Sequence, residues 1–144
     1  MKKIIVALFL GLSFVACDNN DDEVNKLEGK WFPEAVVVNG ESIAYVGNTS
    51  CGNDYLQLNA FNTFEIADFY EDDTTAKNSP VAPCPVTKFY GSYNVLNNEL
   101  KLYGSSFFQG GTIVENSASR LQLKRMIDVD GNGSLDEVIE VYRK

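Results

Sequence analysis

Asp128–Asp136 reads DVDGNGSLD, and no other stretch of this 144-residue chain has residue types and spacing so suited to chemistry. Side-chain oxygens recur at the first, third, fifth and ninth positions, on Asp128, Asp130, Asn132 and Asp136. Ser134, at the seventh, adds a backbone carbonyl, and Gly131 and Gly133 allow the chain to curl tightly around a centre. A hard cation such as Ca2+ takes six to eight oxygen ligands at about 2.4 Å. Carboxylates gathered in one place repel one another and are stabilised when a cation joins them. The spacing therefore predicts a Ca2+ site with a structural role. The alternative is an acidic Asx and glycine turn that joins two strands without metal.

The loop resembles the first nine positions of an EF-hand, including the apolar residue at position eight, Leu135. It departs at position twelve, where the bidentate glutamate of that motif is replaced by Ile139. The flanks, LQLKRMI before and VIEVY after, read as strands rather than helices. A strand–loop–strand setting is more similar to the calcium-binding hairpin loops of FG-GAP-type repeats, which use the same spacing without the final glutamate.

Other chemistry is narrowed by what the chain lacks. There is no histidine, so the commonest general base and the usual transition-metal ligand are both absent. No serine or cysteine sits in a nucleophile motif, and no enzymatic activity is expected. The net charge is −8, which argues against nucleic acid as a partner and is compatible with cations.

Three cysteines are present: Cys17, Cys51 and Cys84. Cys17 follows a basic start, Met1-Lys2-Lys3, an apolar run Ile4–Phe14, and the small Ala16. This is the layout of an export signal, too short to span a bilayer. Leu12–Cys17, LSFVAC, resembles a lipobox, with Phe where leucine is commoner. That resemblance implies cleavage before Cys17 and a diacylglyceryl lipid on it. Residues 1–16 then form the signal peptide and 17–26 a lipidated acidic tether. Asp18–Glu23, DNNDDE, is too polar to start a core. Asp18 to Asn25 would reach about 25 Å at about 3.3 Å per residue. The expected address is the outer membrane of a Gram-negative cell, contacted through the lipid alone. Cys51 and Cys84 remain as an even pair in an oxidising compartment, where a disulfide is the simplest outcome.

From Leu27 onward the pattern is short alternating runs punctuated by Gly, Asn, Asp and Pro, with no sustained helical period. It predicts a single all-β domain over 27–144 with eight strands: Gly29–Asn39, Asp54–Asn59, Thr63–Tyr70, Thr87–Leu96, Glu99–Tyr103, Gly111–Asn116, Ser119–Ile127 and Val138–Arg143. The connections alternate long and short. In an up-and-down antiparallel sheet that puts the long loops at one end and the tight turns at the other. Eight strands suffice to close a barrel. Both termini then lie at the tight-turn end, with the acidic loop and both loop cysteines at the mouth.

Gly29-Lys30-Trp31 at the first strand is a G-x-W signature. With LEGKW, VNG, DYLQLNAFNTF, GSYNV and the Tyr142 ending, it resembles the lipocalin-like domains of bacterial outer-membrane lipoproteins. The resemblance implies an eight-stranded up-and-down barrel closed at one end. It also implies a tryptophan, Trp31, packed there beneath a late-strand arginine, with Arg143 the first candidate and Arg125 the second. It further implies a small apolar or amphipathic ligand at the mouth, for which Tyr45, Tyr55, Phe107 and Phe108 are the aromatic candidates. The competing reading is a filled barrel that meets a protein or glycan through its distal loops. A monomer is expected.

Overall fold

The computed structural model describes residues 26–47, 51–70, 85–106 and 108–144. The leader, Cys17, Cys84 and Phe107, and with them the lipid anchor and the second half of the expected disulfide, lie outside the described residues.

Alternation decides the architecture. The strands are β1 (Gly29–Val38), β2 (Glu41–Ala44), β3 (Tyr55–Asn59), β4 (Thr63–Phe69), β5 (Val86–Leu96), β6 (Glu99–Tyr103), β7 (Gly110–Asn116), β8 (Arg120–Ile127) and β9 (Asp136–Arg143). Every pairing is antiparallel, and β1 pairs with β9 from Phe32 to Val38, so β1 and β3 to β9 close an eight-stranded barrel. Closure removes the free edges of the sheet. One face of each strand points inward. Leu56 and Leu58, Phe64 and Ile66, Leu100 and Leu102, and Leu121 and Leu123 are all buried, with Trp31, Tyr93 and Tyr142 among them. This cluster packs the lower half of the barrel.

One strand was not expected. The Gly40–Asn53 segment, read above as a single long loop, begins with β2, which turns back on β1 at Asn39-Gly40. Both turn residues have positive φ, 49° and 88°, the geometry that Asn-Gly supplies readily. Glu41–Ala44 is exposed throughout, so it carries no buried face for a period of two to reveal. β2 pairs with the upper half of β1 and β3 with its lower half, on the same edge. The chain therefore leaves β2 part-way down the barrel, and the mouth holds a tight turn where a long loop was expected.

The lower end is closed by the 3-10 turn Ala60–Asn62, the Asn97-Asn98 turn and the Ser117–Arg120 turn. Both described termini meet there: Lys144 Nζ donates to the Lys26 carbonyl at 2.9 Å. Trp31 is fully buried, and its indole N–H donates to the Leu27 carbonyl at 2.7 Å. The cation over its ring is Lys144, with Nζ 4.4 Å from the ring centroid. This corrects the assignment of Arg143, whose side chain is exposed and pairs with Glu34. The cause is strand parity. Tyr142 points inward, so Arg143 must point out, and the next residue reaches back over the end. Arg125 is not the cap either; it lies in the upper half, over Phe108.

Candidate functional site

Above the packed core lies a cavity of about 430 Å³. Its apolar walls include Pro33 and Val36 of β1, Ile66 of β4 and Ile127 of β8. The same parity that builds the core also aims charged side chains into this space. Arg125 continues the inward series Leu121–Leu123, and Glu140 lies between the inward Val138 and Tyr142. Asp68 follows Phe64 and Ile66, and Asp54 precedes Leu56 and Leu58.

These groups form two sets. On one side Arg125 pairs with Glu140 through a guanidinium–carboxylate hydrogen bond, and both side chains are largely covered. The Tyr142 hydroxyl donates to the other Glu140 oxygen at 2.8 Å. Burial, then the Glu140 charge, pushes the Tyr142 phenol well above its ordinary range, so it stays a donor. Phe108 is buried, and the guanidinium lies 4.8 Å from its ring centroid.

On the other side Asp54 accepts the Tyr45 hydroxyl through one oxygen and the Phe69 N–H at 2.6 Å through the other. Asp68 stands opposite it, one step beyond the Tyr55–Ala67 pair. Among the described residues Asp68 has no cation partner. Burial, then the Asp54 charge, holds the Asp68 carboxyl above its ordinary range. Tyr45 is likewise raised, first by burial and then by its bond to Asp54.

Of the aromatic mouth candidates, Tyr45 and Phe108 line the cavity with their side chains engaged as above. Tyr55 also borders it, but its side chain does not serve the mouth. Its hydroxyl donates to Glu65 at 2.6 Å, and Lys30 lies 3.8 Å from its ring centroid. Glu65 and Gln57 share its face, the outer one, because Leu56 and Leu58 take the inner. Phe107 lies outside the described residues. The sequence reading missed Arg125 as a cavity group, and missed Glu140, Asp54 and Asp68. The phase of each relative to its buried neighbours was the available signal.

The acidic loop joins β8 to β9 at the rim. Asp128, Asp130 and Asp136 each bring a carboxylate oxygen within 4.8 Å of the others. The loop curls around Asp128, which accepts the N–H groups of Gly131 and Gly133 at 2.8 Å and of Asn132 at 3.1 Å. Gly131 and Gly133 have φ of 74° and 87°, so both glycines are used as such. Asn132 adjoins the three carboxylates: its amide donates to Asp130 at 2.8 Å, and its Oδ1 accepts the Ser134 N–H at 2.7 Å. Asp136 is also tied to the end of the neighbouring strand β1, where Asn39 Nδ2 donates to it at 2.7 Å. That bond, with the Val129 N–H, lowers the Asp136 carboxyl below its ordinary range.

Cys51 lies between β2 and β3 in sequence and is engaged rather than free. Next to it, Gly52 lies against the Phe69 ring at the upper end of β4. Pro85, which follows Cys84, accepts the Tyr70 N–H at 3.3 Å at that same end.

No protein-family model and no curated protein matches the sequence. The fold is similar to the crystal structure of a lipocalin-like protein from Bacteroides uniformis, with a TM-score of 0.53 at 14% identity. The match covers 83% of this chain and 98% of that one. The barrel is thus lipocalin-like in fold.

Proposed function

We propose that this chain is a non-catalytic cell-envelope lipoprotein whose barrel binds a small amphipathic molecule in its mouth half. The cavity of about 430 Å³ over a packed floor carries this reading. Its size falls in the range of small-molecule sites, as does its mix of apolar wall and few polar groups. A barrel filled through its length, acting only by its loops, would leave no such space. Saturable one-to-one uptake of an uncharged fluorophore tests the proposal.

The anchor is proposed from Leu12–Cys17 and the acidic residues that follow. Because both described termini lie at the closed end, a lipid on Cys17 would leave the mouth facing away from an outer membrane. Cys51 and Cys84 are proposed to form a disulfide. The support is local: Gly52 and Pro85, their chain neighbours, both meet the end of β4.

Calcium is proposed at the rim. Asp128, Asp130 and Asp136 would hold it; a carboxylate has about four lone-pair sites, so even Asp128, which accepts three N–H bonds, keeps one for a cation. The role is structural, joining the last hairpin to the β1–β2 turn through Asp136 and Asn39. Adding Ca2+ at a hundredfold excess over its Kd is expected to stabilise the fold by about 2.7 kcal/mol relative to EDTA. Differential scanning calorimetry reads this as a rise in Tm. Asp128→Asn should abolish the rise, and an unchanged Tm at millimolar Ca2+ would remove the site.

A further inference from the structure

The charges inside the cavity are not balanced. Arg125 is neutralised by Glu140, its face is covered by Phe108, and the Tyr142 hydroxyl completes that set. On β4 and just before β3, Asp68 and Asp54 stand side by side with no cation between them among the described residues. Cross-strand like charges disfavour the free fold, and more so where the surroundings are apolar. Asp54 is committed through both oxygens, to the Tyr45 hydroxyl and the Phe69 N–H. Among the described residues Asp68 has no such partner.

A carboxylate in this position is expensive to the empty barrel and useful to one that takes up a positive charge. An anionic headgroup meets the opposite situation. The Arg125 Nε–H, buried and without a hydrogen-bond partner, is the donor left to it, on a guanidinium whose charge is already matched. The apolar wall of Val36, Ile66 and Ile127 is suited to an aliphatic or aromatic body.

We propose that the cavity selects a cationic amphiphile, a primary or substituted ammonium on an apolar body, with the ammonium held at the Asp54–Asp68 pair. This rests on the proposed use of the cavity as a ligand site and names the class of ligand it takes. A primary ammonium brings three N–H donors, and any ammonium brings the one charge that relieves the pair.

The test compares three probes of one length by isothermal titration: octylammonium, octanol and octanoate, each below its aggregation limit. Octylammonium is expected to bind at least about tenfold tighter than octanol, and octanoate weakest. Asp68→Asn is expected to bring octylammonium to within about threefold of octanol, both measured on that variant. The same substitution should raise the Tm of the unliganded protein at pH 7. The sign follows from the raised Asp68 carboxyl: stability is lost as pH climbs from the unfolded pKa through the higher folded one, and asparagine removes that loss. Equal binding of the three probes, or a preference for octanoate, overturns the cation assignment while the cavity stands as a ligand site. An octylammonium preference that survives in Asp68→Asn overturns its placement. Absence of binding by all three overturns the cavity reading itself, and the assignment with it.

Discussion

Trp31→Ala is expected to cost about 3–5 kcal/mol of stability, within the range for deleting a buried aromatic side chain. Trp31 is fully buried at the closed end, beneath the turn at Lys26-Leu27 and the Lys144 ammonium. Removing the indole takes away three things together. It empties the largest side-chain volume in the core, leaves the Leu27 carbonyl without its donor, and frees Lys144 from its ring. A domain of this size holds about 5–15 kcal/mol in total, so the change is a large share. Trp31→Phe keeps most of the bulk and loses the hydrogen bond, for an expected cost of about 1–2 kcal/mol. Urea denaturation followed by circular dichroism reads both, since Trp31 is the sole tryptophan and cannot report on its own deletion. A wild-type midpoint in Trp31→Ala would show that the barrel does not depend on its closed end.

Gly91→Ala is expected to cost about 3 kcal/mol, the upper part of the range for overpacking a well-filled core. A Cβ at Gly91 would stand 1.9 Å from the Tyr103 carbonyl oxygen and 2.7 Å from the Phe64 ring. Gly91 faces Phe64 across the β4–β5 pair and Tyr103 is in the next strand, so one of three strands must move. The backbone angle is ordinary; the demand is for space. Gly40→Ala is the informative contrast. Gly40 has φ of 88° with nothing within 4 Å of its Cβ, so its cost is conformational alone, about 1 kcal/mol. Comparable midpoints for the two variants in the same denaturation would contradict the close approach at Gly91.

Much of the barrel was legible because its core obeys one rule. Leu121–Leu123, Phe64–Ile66 and Leu100–Leu102 each show a period of two, and each is buried as that period demands. Alternating loop lengths correctly put both described termini at the closed end. β2 escaped because an exposed four-residue strand has no buried face to announce it. Arg143 was misplaced because a residue type was weighed before its parity; the inward Tyr142 forces it out. The cavity's charges were hidden for a related reason. Arg125, Glu140, Asp54 and Asp68 resemble surface residues by type. Only their phase with buried leucines, phenylalanine and tyrosine reveals that they face inward. The triad Asp128, Asp130 and Asp136 was legible because its spacing is local and needs no tertiary knowledge.

The central claim is that the mouth half of the barrel is a ligand site. Titration of the uncharged fluorophore N-phenylnaphthylamine, with Val36→Trp and Val37→Trp beside the wild type, tests it most directly. Val36 lines the cavity opposite Glu140, whereas Val37, its neighbour, takes the outward phase opposite Ile139. The expected result is saturable one-to-one uptake by the wild type and by Val37→Trp, and at least about tenfold weaker uptake by Val36→Trp. Uptake that fails to saturate, or equal affinity in all three proteins, would contradict the claim.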